Sequence, residues 1–218
     1  MIEAVIFDYG GVISVPFLRD LGTFEEEMGY PNGSVHLLMF GDSDMTRQEV
    51  HDFHRLETGT MSLDDYLGGL ERRAPEILGR PIDFTAYLEF TSKTSVRVHW
   101  PVVHRIRRLR EEGMRLALLT NNVKEFGDSW RSTFPVDDLF SVVIDSCEVG
   151  MRKPDPRIYE LTCGRLGVAP TAAVFVDDNL GNIEAADALG IETVLFGTDP
   201  LEAIAELDAI LSRRGVAT

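Results

Sequence analysis

Cysteine is scarce in this chain of 218 residues, which holds only Cys147 and Cys163. Two such residues build no disulfide framework, and their spacing suggests no zinc site, so both read as small core or near-core side chains. Basic residues are also few, 21 Lys and Arg against 36 Asp and Glu, for a formal net charge of −15. Nonspecific adhesion to nucleic acid or anionic membrane is dominated by a basic surface, so neither partner is expected. A phosphorylated small molecule remains compatible with that charge, because one lysine and a metal ion reverse the sign inside a single pocket. No run approaches the roughly 20 apolar residues needed to cross a bilayer. The chain also reaches Asp8 without the basic segment and long apolar run of a secretory signal, so a cytoplasmic location is the expectation. Internal repeats, low-complexity tracts and Ser/Gly-rich linkers are missing as well, which leaves the domain division to be read from periodicity.

What is present is a set of apolar strands that end abruptly in polar groups. Ala4-Val5-Ile6-Phe7 suits a strand covered on both faces, and it runs straight into Asp8-Tyr9-Gly10-Gly11, where two glycines allow a sharp turn and a close approach to a ligand. Leu116 to Leu119 ends in Thr120-Asn121-Asn122. Ala173 to Val176 ends in the paired carboxylates Asp177-Asp178, followed by Asn179. Between them, Lys153 sits in the loop Val149-Gly150-Met151-Arg152-Lys153-Pro154-Asp155-Pro156, which opens a helix. Open α/β sheets bind ligands in the crevice outside the carboxyl ends of their strands. All four polar clusters leave the sheet on that side, so they are expected to meet in one crevice. Taken singly, Asp8 and Thr120 read equally well as helix or turn caps, Lys153 as a surface ion pair, and Asp177-Asp178 as solvated turn residues.

The rhythm of the rest of the chain predicts the architecture. Residues from about 15 to 95 show helical patches and no convincing buried strand: Leu21, Phe24, Glu25 and Met28 before a stop at Gly29, a helix capped by Thr46 with Glu49 and running through Phe53, and one capped by Ser62 with Asp65. From Pro101 helices and strands alternate: helix to about Gly113, strand 116–120, helix about 123–132, strand 142–145, helix about 156–166, strand 173–176, helix about 180–189, strand 192–196, and a final helix opened by Asp199-Pro200. Alternation of this kind implies right-handed crossovers and a parallel sheet. The fold class is α/β, a Rossmann-like parallel core made of 1–14 and 96–218, with a small α-helical domain, 15–95, inserted after the first strand. A chain of this length accommodates one substantial core and such an insertion.

The order Asp8, Thr120, Lys153, Asp177-Asp178 resembles the four motifs of the haloacid dehalogenase-like (HAD) hydrolase superfamily over nearly the whole chain. Ser146-Cys147-Glu148-Val149-Gly150 before Lys153-Pro154, together with Asn182, is most similar to the phosphatase domain fused to soluble epoxide hydrolases and its bacterial stand-alone relatives. Glu57-Thr58-Gly59 and Ser62 to Tyr66 resemble the cap region of that branch, where the insertion is a mobile cap over the active site. The resemblance implies a Mg2+-dependent phosphatase acting on a small phosphorylated metabolite, with Asp8 as the nucleophile that forms an aspartyl-phosphate. It implies Mg2+ held by Asp8, the carbonyl of Gly10, Asp178 directly, and Asp177 through water or by orienting Lys153. Thr120 and the amide of Asn121 would donate to phosphate oxygens, and Lys153 would neutralise charge on the transferring group.

One position departs from the family pattern. Most HAD phosphatases carry a second aspartate, an acid-base group, where this chain has Gly10. General acid-base catalysis contributes about 100- to 10,000-fold, so the glycine implies a poor phosphatase, a preference for activated leaving groups, or a proton supplied from elsewhere. His36, His51 and His54 of the insertion are candidates for that proton, although a helix with histidines three apart also reads as a solvated face. Two other functions stay open: a 2-haloacid dehalogenase or other HAD hydrolase, and a noncatalytic phosphate-binding regulatory protein. Against the dehalogenase stands the Asp177-Asp178 pair, which makes sense chiefly as a metal site. Tyr9 reads as packing, and Arg105, Arg107, Arg108 and Arg110 as a solvated helix face.

Overall fold

The computed structural model describes residues 1–15, 21–41, 51–84 and 97–214, apart from the side chains of 128, 129 and 214. Five parallel strands form one sheet: β1 (Ala4–Phe7), β2 (Arg115–Thr120), β3 (Val142–Asp145), β4 (Ala173–Asp177) and β5 (Glu192–Leu195). Their order is β3-β2-β1-β4-β5, so the chain moves outward on one side of β1 and then returns to the other. β1 is therefore central, and its carboxyl end lies at the switch point between the two halves.

Strand periodicity explains how the sheet is covered. Val5 and Phe7 join Leu116, Leu118, Val174 and Val176 in one buried cluster. Against that face pack Val103 and Ile106 of α5 (Trp100–Glu111) and Leu207 and Ile210 of α10 (Pro200–Arg214). Ala4 and Ile6 join Ala117, Leu119 and Phe175 in the opposite cluster, under Ile158 and Tyr159 of α8 (Pro156–Leu166) and Ala186 of α9 (Leu180–Asp187). Alternate residues of β1, β2 and β4 thus meet helices on both faces, as a doubly covered parallel sheet requires.

Between β1 and α5 the described residues form α1 (Leu21–Met28), α2 (Ser34–Phe40), α3 (Asp52–Glu57) and α4 (Leu63–Leu78). They bury their own apolar cluster, which includes Phe24, Leu38, Phe40, Leu56 and Leu70. The segments that enter and leave this helical insertion lie side by side: the Val15 amide donates to the Arg97 carbonyl and the His99 amide to the Ile13 carbonyl, each at 2.8 Å. Ser62 caps α4 by accepting from the Asp65 amide, and its own hydroxyl donates to the Asp65 carboxylate at 2.7 Å. Glu25 is more than part of the apolar stripe of α1. Its buried carboxylate accepts from the amides of Gly33 and Val35, both at 2.7 Å, and so satisfies the open amino end of α2.

Two expected helices take a different form. Thr46 and Glu49 lie outside the described residues, but His51 is extended and ends any helix running from them to Phe53. The helix there begins at Asp52, and the His51 side chain caps it by accepting from the Phe53 amide at 3.2 Å. The stretch Lys124–Thr133 is 3-10 rather than α-helical, and it is broken at Gly127, whose φ of 51° and ψ of −143° lie far from helical values. Among the described residues no helix is long and apolar enough to cross a membrane.

Candidate active site

Asp8 follows directly on β1, and its amide donates to the Val176 carbonyl of β4 at 3.0 Å, so the nucleophile candidate is anchored beside the strand that carries Asp177. Lys153 comes from the loop before α8 and is fully buried. Its Nζ lies 2.8 Å from Asp8 Oδ1 and 2.6 Å from Asp177 Oδ2. Carboxylate oxygens of Asp8, Asp177 and Asp178 all fall within 4.8 Å of one another. Four of the sequence-predicted residues therefore meet at the carboxyl edge of the sheet.

The charges in this crevice do not balance. Three carboxylates against one ammonium leave 3 − 1 = 2 net negative charges when all are ionised. Burial is the main reason that Asp8 titrates far above an ordinary carboxylate, at about 8; Lys153 pulls it down, and Asp177 and Asp178 push it up again. Asp178 keeps much of its surface in solvent, yet its carboxylate faces the crevice, where burial and then the charge of Asp177 push it up to about 6. Burial alone would lower Lys153, but Asp177 and Asp8 outweigh that and hold it above its usual value. A divalent cation would restore balance here, and a cluster of hard carboxylate oxygens suits Mg2+ by donor type. The residues present fit the ion.

The two carboxylates of the pair are used differently. Asp177 accepts at both oxygens: Oδ1 from the Asn179 amide at 2.8 Å and from Asn182 Nδ2 at 3.0 Å, and Oδ2 from Lys153. Its environment is that of an orienting group. Asp178 instead stands against the backbone of Gly11, where a β-carbon would lie 1.9 Å from Asp178 Oδ2. Gly11 also has a φ of +86°, so close approach and backbone conformation both require glycine. Gly10 is the opposite case. It is exposed, its φ is not positive, and nothing lies within 4 Å of an added β-carbon.

Thr120 is buried at the end of β2, next to the central strand, with its hydroxyl 3.4 Å from the Asn121 carbonyl. The Asn121 side chain is committed elsewhere: Nδ2 donates to the Lys153 carbonyl at 3.0 Å and Oδ1 accepts from the Lys153 amide at 2.9 Å. That gives the Asn121 side chain the task of fixing the lysine loop. Asp145, at the end of β3, is a further buried carboxylate; it accepts from Asn122 Nδ2 at 3.0 Å and from the Cys147 amide at 3.2 Å. The Cys147 thiol lies 3.1 Å from the same carboxylate, and burial followed by that contact pushes it up to about 12, so it is an inert thiol. Cys163 is a core residue.

Of the remaining candidates, His51 serves as a helix cap, and His36 packs its ring 5.0 Å from that of Phe40. His54 stands 6.3 Å from His51, ring to ring, on α3. Tyr9 turns away from the crevice, its hydroxyl 3.1 Å from that of Thr133 and its ring 5.1 Å from Trp130. Arg107, Arg108 and Arg110 are exposed, whereas Arg105 is half-buried and donates to Asp208 of α10 at 2.7 Å. The Asn121 side chain's hold on the Lys153 backbone and the close contact of Gly11 with Asp178 itself were not legible in the sequence. Their only signal was position beside a motif residue.

Comparison with known proteins agrees with this geometry. The profile described as haloacid dehalogenase-like hydrolase matches residues 2–190. Among curated proteins, the chain is 33% identical over 214 residues to acyl-CoA dehydrogenase family member 10 of Mus musculus, covering 96% of this chain and 19% of that protein. It is 27% identical over 220 residues to bifunctional epoxide hydrolase 2 of Sus scrofa, covering 96% and 39%. The chain thus spans about a fifth and about two fifths of the length of these relatives. Among solved structures, a HAD family enzyme of Bacteroides thetaiotaomicron in complex with magnesium and inorganic phosphate superposes with a TM-score of 0.66 at 22% identity, covering 91% of this chain and 97% of that one. That last likeness is one of fold.

Proposed function

Because the chain belongs to the haloacid dehalogenase-like hydrolase family, we propose that it is a Mg2+-dependent phosphatase acting on a small phosphorylated metabolite. One observation carries the reading: Lys153 Nζ bridges Asp8 and Asp177 at 2.8 and 2.6 Å while Asp178 adds a third carboxylate to the same crevice. Such a cluster invites a divalent cation, and phosphoryl transfer is the family chemistry that uses one to bring two anions together. The related fold with bound magnesium and phosphate supports the same assignment.

In this mechanism an Asp8 oxygen attacks phosphorus. The new O–P bond forms as the ester P–O bond breaks, leaving an aspartyl-phosphate and the leaving group as its oxyanion, which takes a proton from solvent. Water then attacks phosphorus, frees inorganic phosphate and restores the Asp8 carboxylate. Asp8, Asp178 and the Gly10 carbonyl would hold Mg2+, which would supply charge neutralisation and orientation for the phosphate. Asp177 stands behind that set and aims Lys153, whose ammonium stabilises charge on the transferring oxygens. Thr120 and the Asn121 backbone amide donate to the same oxygens. Residues 1–14 and 96–218 act as the catalytic core, and 15–95 as a helical cap with its own apolar cluster.

The test is turnover of a panel of phosphorylated metabolites with and without Mg2+. Asp8→Asn removes the attacking charge while conserving shape, so it is expected to abolish turnover with a wild-type melting temperature or higher. Full phosphatase activity in excess chelator, or retention of more than a small fraction of activity in Asp8→Asn, would exclude the mechanism. Halide release from 2-chloropropionate without metal would establish the dehalogenase instead.

A further inference from the structure

Arg152 and Lys153 are consecutive, and their charged ends are held by different parts of the molecule. Lys153 reaches Asp8 and Asp177. Arg152 Nε donates to Glu57 Oε2 at 2.6 Å, in a pair with little solvent exposure on either side. Glu57 is the last residue of α3, in the helical insertion. Its backbone carbonyl accepts from the fully buried Ser146 hydroxyl at 2.6 Å, and the Ser146 Oγ in turn accepts from the Asn122 amide at 2.9 Å. Asn122 follows Asn121, whose side chain holds the Lys153 backbone at both its amide and its carbonyl. Two residues past Glu57 the backbones nearly touch: a β-carbon on Gly59 would lie 3.0 Å from the Cys147 carbonyl oxygen.

Glu57 therefore contacts the lysine loop through its carboxylate and, through its carbonyl, the Ser146 hydroxyl, which relays the contact to the loop that follows Thr120. A buried ion pair is weak evidence of net stabilisation, because desolvation offsets much of the attraction, but it is well suited to fixing one arrangement over others. We propose that Glu57 is a positioning residue that couples the seating of the helical insertion to the placement of Lys153, so that loosening the insertion loosens the lysine. The catalytic part of this statement rests on the role given to Lys153 above; the mechanical part stands on the contacts alone.

The experiment compares the wild-type full chain with Glu57→Gln, Arg152→Gln and the double variant by amide hydrogen exchange without metal and by steady-state hydrolysis of 4-nitrophenyl phosphate with Mg2+. Glu57→Gln keeps the volume and an acceptor but removes the charge. Exchange is expected to rise about tenfold or more in both 52–66 and 151–155, with β1 and β4 unchanged. A displaced lysine should lower kcat about 10- to 100-fold with a smaller change in KM. Because the two side chains act as one unit, the double variant should be no worse than either single one. Faster exchange confined to 52–66, with 151–155 and kcat as in the wild type, would reduce Glu57 to a local strut and overturn the proposal. Should Glu57→Gln fail to fold, the double variant, which leaves no unpaired charge, carries the same comparison. A wild type that hydrolyses no phosphate ester refutes the phosphatase reading, and the exchange result then decides the coupling by itself.

Discussion

Replacing Gly10 by aspartate is expected to change which leaving groups the protein can expel. A β-carbon at Gly10 meets nothing within 4 Å and the backbone φ there is not positive, so the substitution is sterically open. Removing a glycine also narrows the unfolded ensemble, a gain of about 0.4–1 kcal/mol where the native conformation is compatible. Against this stands an added negative charge two residues from Asp8, beside a crevice already rich in carboxylates. With no acid side chain at position 10, the wild type should depend steeply on leaving-group pKa, so that aryl, acyl or anomeric phosphates react far faster than simple alkyl phosphates. A general acid contributes about 100- to 10,000-fold, so Gly10→Asp should raise kcat for alkyl phosphates by up to that factor, leave aryl phosphates nearly unchanged and flatten the dependence. The assay is kcat at saturating Mg2+ across esters of graded leaving-group pKa, under conditions where chemistry limits turnover. A flat dependence in the wild type would refute the reasoning and show that another residue already supplies the proton. Gly11→Ala is the matched control, since its β-carbon would collide with the Asp178 carboxylate at 1.9 Å and the variant should lose metal-dependent activity.

Other consequences follow from the same crevice. Asp178→Asn should raise the Mg2+ concentration needed for half-maximal activity, read by metal titration, while the fold is retained. The metal-free protein should lose stability as pH rises from about 4 to about 8, because Asp8 and Asp178 titrate above their ordinary value in the folded state, at about 8 and about 6, and the folded state therefore holds more protons than the unfolded one across that window. Saturating Mg2+ should flatten that slope; thermal melts in chelator and in Mg2+ give the comparison, and parallel curves would argue against a metal in the crevice. Lys153→Met strips the cation that contacts both Asp8 and the fully buried Asp177, so unfolding at pH 7 without metal should be easier by about 3–5 kcal/mol, measured by denaturant titration.

The sheet was readable in the sequence because its signal is local. A parallel strand covered on both faces must be a short run of apolar residues, so 4–7, 142–145 and 173–177 announce themselves without knowledge of their neighbours. The same holds for caps built from near neighbours, such as Ser62 with Asp65. Chemistry at the strand ends was readable for a related reason: polar residues that stop an apolar strand must leave the sheet at one edge, which brings Asp8, Thr120 and Asp177 to the same side. Helical periodicity failed where a residue took a role other than extending or packing its helix. His51 became a cap instead of a mid-helix residue, Glu25 turned from an apolar stripe to hold the start of α2, and Gly127 broke a helix that periodicity alone would continue.

The sequence by itself determined which groups are present and at which edge they emerge. Tertiary structure alone decided their division of labour: Asp177 saturated by Lys153, Asn179 and Asn182, Asp178 left open against Gly11, and the Asn121 side chain spent on the Lys153 backbone. Charge state was likewise beyond the sequence, since an aspartate titrates near 4 or near 8 according to how much water is removed and which charges stand beside it. Glu57 and Arg152 are 95 residues apart, and no local rule links them. Pairing across such a separation is fixed by how the insertion packs on the sheet, and packing depends on the whole chain at once.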